Sequence, residues 1–125
     1  MNLFHKCSYD IIRFLARIVT RNNFDKIVYI NGEVVPYDVP VIFAPNHRNA
    51  VVDGLLLSNF YSKAIVFLAR ADFFRNIILR NVLKSLYITP VYRNRDGRKN
   101  LSKNVDVFDA CGKILSEKQP ICIFP

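Results

Sequence analysis

His47 and Asp53 are the two residues whose types and spacing most readily do chemistry. An imidazole whose Nδ1 proton is held by a carboxylate presents Nε2 as a general base near neutral pH. The pair follows the apolar run Pro40-Val41-Ile42-Phe43-Ala44, with Asp53 six positions beyond His47. Six residues of ideal helix turn through ~600°, so two helical positions at that spacing do not face each other. His47 is therefore expected in a loop, with Asp53 reaching back from the first turns of the next helix. The plainer alternative is a polar loop histidine beside an aspartate that the helix dipole favours near a helix start. Spacing alone leaves both open.

The elements that must position this pair can be read from the pattern of apolar residues. Leu3 to about Thr20 reads as an amphipathic helix, with Phe4, Cys7, Ile11, Leu15 and Ile18 on one stripe and Lys6, Arg13, Arg17 and Arg21 mostly opposite. Lys26 to Ile30 is a short β-rich run closed by Asn31-Gly32. Pro40 to Ala44, Ala64 to Leu68, Ile88 to Tyr92 and Ile121 to Phe124 read as strands, most of them continuously apolar and so buried. Helices are expected over Asn49 to about Tyr61, with Asn49 as N-cap, over Asp72 to Leu86, and over Leu101 to Lys118. Strand and helix alternate after the first helix. That order predicts an α/β fold with a mixed, largely parallel sheet flanked by helices, preceded by an N-terminal amphipathic helix. Such folds place their chemistry in the loops at strand ends.

The chain divides into residues 1–22, the amphipathic helix, and 23–125, the sheet-bearing part. Of its 125 residues 51% are hydrophobic, enough for a core. A net charge of +8 favours polyanions: nucleic acid, anionic lipid, or phosphorylated substrates and carriers. No segment reaches the ~18 apolar residues of a membrane span, so membrane contact in this stretch is expected to be peripheral. The first helix can pack wholly on the sheet, or lie in a bilayer interface with its basic stripe beside the headgroups. Cys7, Cys111 and Cys122 show no zinc-ligand spacing and are expected to be reduced. Cys111 or Cys122 as a nucleophile with His47 is the weaker reading, since nothing nearby in sequence lowers a thiol pKa.

The run Phe43-Ala44-Pro45-Asn46-His47-Arg48-Asn49, continued by Asp53-Gly54-Leu55-Leu56, resembles the first motif of the glycerophospholipid acyltransferases, the family of glycerol-3-phosphate and lysophosphatidate acyltransferases. That motif is usually N-H-x4-D. Here five residues separate His47 from Asp53, which fits an N-H-x-N-x-x-x-D form. Thr89-Pro90-Val91-Tyr92-Arg93 resembles the second motif, and Ile123-Phe124-Pro125 the opening of the third, F-P-E-G, within which the chain stops.

The resemblance implies a fatty acyl transfer from acyl-CoA or acyl-carrier protein to the hydroxyl of lysophosphatidate or glycerol 3-phosphate, at the cytoplasmic face of a membrane. His47 and Asp53 would be the catalytic pair, and Arg93 the grip on the acceptor's phosphate. Asn46, Arg48 and Asn49 join them as substrate-binding candidates, and backbone N–H groups from Arg48 to Ala50 are candidates for stabilising the oxyanion. Arg70 either faces the site or pairs with Asp72. Arg95, Arg98 and Lys99 add to the field around Arg93 or merely solvate a loop. A thiolate leaves easily, so no cofactor, metal or covalent acyl-enzyme is required. Two other classes are a basic nucleic-acid-binding module, for which no stacking or zinc signature exists, and a non-catalytic acyltransferase-like scaffold. The apolar ending suggests a domain cut within its third motif. A last strand that had lost a neighbour would expose an edge, giving a chain that is inactive or dimerises there.

Overall fold

The four strand-like runs that precede or follow the predicted helices pair into one sheet. The computed structural model describes residues 3–46, 49–92 and 103–124. Its strands are β1 (Ile42–Phe43), β2 (Val66–Arg70), β3 (Ile88–Val91) and β4 (Ile121–Ile123), in the spatial order β1-β4-β2-β3. Every pairing is parallel, so among the described residues the sheet is wholly parallel rather than mixed. Parallel neighbours need a crossover, and the helices α2 (Ala50–Phe60), α3 (Ile77–Ser85) and α4 (Lys103–Ser116) supply them. The right-handed rule for such crossovers assigns α2 and α3 to one face of the sheet and α4 to the other.

The last strand lies inside the sheet. Ile121 is in register with Ile42 on one side and Val66 on the other, and Cys122 with Phe43 and Phe67. The Ile121 N–H donates to the Val41 carbonyl at 3.0 Å, and the Val66 N–H to that of Pro120 at 2.9 Å. The exposed edge expected at β4 is therefore not there; the sheet's edges are β1 and β3. Ile65, Tyr61 and Cys122 form the buried core, with Phe43, Leu57, Phe60 and Phe67 packed against it. Burial pushes the Cys122 thiol up to about 12. At about pH 8 its thiolate should be roughly a thousandfold scarcer than that of an ordinary cysteine. We expect iodoacetamide to leave Cys122 unmodified in the folded protein and to label it promptly in urea, as mass spectrometry of its peptide would show.

Two expected elements take a different form. Lys26 to Ile30 is not a strand. Tyr29 packs its ring on Phe60 at 4.9 Å and donates its hydroxyl to the Leu56 carbonyl, so the segment is held by side-chain contact to α2 and not by a ladder. The helix expected from Asp72 to Leu86 is broken into a 3₁₀ turn, Ala71–Phe74, and α3. The break falls at Asn76, whose Oδ1 accepts from the N–H groups of Ile78 and Leu79 and so caps a new helix.

Of the two arrangements expected for helix α1 (Leu3–Asn23), packing wholly on the sheet is not the one seen among the described side chains. Tyr9, Ala16 and Thr20 are its buried residues. The Ile65 N–H donates to the Tyr9 hydroxyl, Arg13 Nη1 donates to the Ser62 carbonyl at 2.7 Å, and Asn59 Nδ2 donates to Thr20 Oγ1. Meanwhile Ile11, Phe14, Leu15, Ile18 and Val19 stay exposed, Phe14 by 62% and Ile11 by 55%. Among the described side chains, α1 is seated on the protein by a small and polar stripe and turns its apolar stripe outward. No helix among the described residues is long and apolar enough to cross a membrane.

Candidate active site

All four strands point the same way, so the segments following Phe43, Arg70, Val91 and Ile123 gather at one edge of the sheet. Three of these segments carry residues singled out by type and spacing, and the first leads into α2. Asn49 opens that helix: its Oδ1 accepts from the Val52 N–H at 3.3 Å. In return, Asp53 Oδ2 accepts from the Asn49 N–H at 2.9 Å. This reciprocal cap satisfies N–H groups that a helix start leaves unpaired. It also turns the Asp53 carboxylate back over the helix end, toward the loop from which Asn49 emerges. Asp53 sits in the first turn, where an acidic side chain complements the dipole. The next residue, Gly54, lies over the Phe67 ring of β2, so the first turn of α2 rests on the sheet.

His47 and Arg48 lie outside the described residues. What the structure brings together is Asn49 and Asp53, with the carboxylate directed to the stretch of chain two residues past His47. Asn46, the last described residue before His47, is exposed in the loop. The Asn49 N–H, one of the groups expected to stabilise an oxyanion, instead serves the Asp53 carboxylate.

Arg70 is the last residue of β2 and lies at the same edge. Its Nη2 meets Asp72 Oδ2 at 2.6 Å, and its guanidinium lies 5.8 Å from the Phe73 ring. The pairing with Asp72 is thus realised. Neighbouring strands stand ~4.8 Å apart, and one strand, β4, separates β2 from β1. Phe43 is level with Phe67, three residues short of Arg70, so Arg70 starts ~14 Å from the end of β1. Arg93 lies outside the described residues, as do Arg95, Arg98 and Lys99. Val91, two residues before Arg93, is in register with Arg70.

Asn104 is a residue that sequence reasoning missed. Near the start of α4, its Oδ1 accepts from the Tyr92 N–H at 3.0 Å and its Nδ2 donates to the Tyr92 carbonyl at 2.7 Å. One amide side chain thereby holds both backbone groups of the residue just before Arg93, extending β3 as a strand neighbour would. The signal is a contact across twelve positions, which no local pattern carries. We expect Asn104→Ala to destabilise the protein by about 1–3 kcal/mol, the cost of leaving part-buried polar groups unmet, as urea unfolding would measure.

Cys111 and Cys122 are not activated for this chemistry. Burial raises the pKa of Cys111 as well as that of Cys122, the opposite of what a thiolate nucleophile requires. Among the described residues no group of His, Cys, Asp or Glu is arranged to hold a metal ion.

A family model described as Acyltransferase matches residues 26–125, beginning just after α1 and including the whole sheet. No curated protein and no solved structure matches the chain.

Proposed function

The chain belongs to the acyltransferase family, and on that premise we propose that it is an O-acyltransferase of phospholipid biosynthesis. Its donor would be acyl-CoA or an acyl-carrier protein, and its acceptor the hydroxyl of lysophosphatidate or glycerol 3-phosphate. The observation that carries this reading is the Asp53 carboxylate, held by the Asn49 N–H so that it faces the loop of His47.

The chemistry follows from that arrangement. Asp53 keeps the His47 proton on Nδ1, leaving Nε2 to remove the acceptor's hydroxyl proton. The oxygen attacks the thioester carbonyl, the C–S bond breaks as the tetrahedral intermediate collapses, and the proton passes from Nε2 to the departing sulfur. One ester forms and one thioester is lost, with no net change in protons. Arg93, assisted by Arg70 from the adjoining strand end, would hold the acceptor's phosphate. Asn46 and Arg48 flank His47 as contacts to substrate.

The outward apolar stripe of α1 supports peripheral contact with a membrane, which we place at the cytoplasmic face. Lipid acceptors would then reach the site without leaving the bilayer. Thiol release from palmitoyl-CoA or palmitoyl-carrier protein should be measured with lysophosphatidate, glycerol 3-phosphate and the zwitterionic lysophosphatidylcholine. We expect release with a phosphate-monoester acceptor to exceed that with lysophosphatidylcholine by roughly tenfold or more, the worth of one charge-assisted contact. Release that requires no acceptor, or none with any of the three, would reject the assignment.

A further inference from the structure

We propose that α3 is a second lipid-contacting element that, with α1, lays the sheet along an anionic bilayer surface; this rests on the membrane placement of α1 given above. Helix α3 has no buried residue. Ile77 is 63% and Ile78 73% exposed, and Leu79, Val82 and the preceding Phe73 are exposed as well. Exposed apolar side chains in such a row mark a contact surface.

Charge decides what that surface meets. Arg75, Arg80 and Lys84 are all exposed around these residues, and α3 contains no acidic residue. Between residues 70 and 86 the one acid is Asp72, which pairs with Arg70. An apolar stripe bordered by exposed cations, on a helix with no acid of its own, fits anionic headgroups above acyl chains. Helix α4 provides the contrast. It also exposes Val105 and Phe108, but the exposed Asp106 and Asp109 stand beside them and cancel the charge of Lys103 and Lys113, so that helix offers an anionic surface no net attraction.

The topology gives the second contact a consequence. Helix α1 reaches the protein at the edge where strands begin, through Ser62, the Ile65 N–H and the Tyr87 ring, 5.7 Å from that of Tyr9. That edge is opposite the one that carries Asp53. Helix α3 touches α1 and spans the sheet: it follows the end of β2 and runs back to the start of β3. A bilayer touching α1 alone would leave the Asp53 edge pointing away. One touching both α1 and α3 lies along the strands and brings the Asp53 edge down to the headgroups, where a lysophospholipid hydroxyl sits.

The chain has no tryptophan, so single reporters report without background. Phe14→Trp on α1, Ile78→Trp on α3 and Val105→Trp on α4 should be titrated with vesicles of phosphatidylcholine and phosphatidylglycerol. We expect blue-shifted emission, quenched by lipids brominated in the acyl chain, from the first two and no change from the third. In the parent sequence Ile78→Glu should weaken vesicle binding roughly tenfold, since binding scales with the apolar area inserted. Insertion of Phe14→Trp without Ile78→Trp would overturn the role of α3 while leaving the placement of α1. Failure of both would overturn the two together. A blue shift of Ile78→Trp that appears without vesicles and grows with protein concentration would overturn it in favour of a second copy of the chain on α3.

Discussion

Asp53→Asn is expected to lower acyl transfer by about 10²-fold to 10⁴-fold, the range for losing a base's partner and with it the reactive tautomer, while leaving the fold nearly intact. The reason lies in the two things this carboxylate does. As a cap it accepts the Asn49 N–H, which an amide oxygen can also do, without the charge. As the partner of His47 it must accept the Nδ1 proton and stabilise the imidazolium, which a neutral amide does poorly. Asp53→Ala removes both functions and should add a stability cost of about 1 kcal/mol for the lost cap. Measuring kcat and the urea midpoint for both variants separates the roles. Near-normal turnover in Asp53→Asn would reduce Asp53 to a helix cap.

Ile121→Ala is expected to cost about 2–5 kcal/mol, the range for emptying a well-packed core position. Ile121 is 1% exposed and sits in the sheet's interior, in register with Ile42 and Val66 on its two sides. Among the described residues, β4 is the only strand that hydrogen-bonds β1 to the β2–β3 pair. Loosening it therefore detaches the strand that leads to His47 and Asp53, and activity should fall with stability. Ile121→Val, which keeps the branched shape, should cost only about 0.5–1.5 kcal/mol. Urea unfolding of the two variants would check the difference. A loss under about 1 kcal/mol for Ile121→Ala would mean that the β4 site collapses around the gap.

Much of this arrangement was legible because the signals are local. Asn49 reads as a cap from its type and its place before an apolar helical pattern, and it caps. The stop at Arg70 followed by Asp72 allows an ion pair, which forms. The four apolar runs become strands, and their alternation with helices forces parallel pairing. Strand order was not legible. Nothing near Ile121 says that it lies between β1 and β2, and an apolar ending looks the same at an edge as in the interior.

Elsewhere, local pattern pointed the wrong way. Val28, Tyr29 and Ile30 have strand-like types, yet Val28 and Ile30 are exposed and Tyr29 is occupied with α2. Asn76 caps a helix inside what periodicity reads as one continuous helix. The heptad-like stripe of α1 shows that one face is apolar, but not which face meets the protein. Arg13 meets the Ser62 carbonyl and Thr20 the Asn59 amide, while Tyr9 and Ala16 are buried on the same face, a seating that the apolar stripe does not reveal.

Thiol release from palmitoyl-CoA with lysophosphatidate, compared between the protein and its His47→Ala variant, bears most directly on acyl transfer through the His47–Asp53 pair. The expected result is acceptor-dependent release by the protein and a fall of ~10²-fold or more in the variant, the contribution of a positioned general base. Equal release by the two would contradict it.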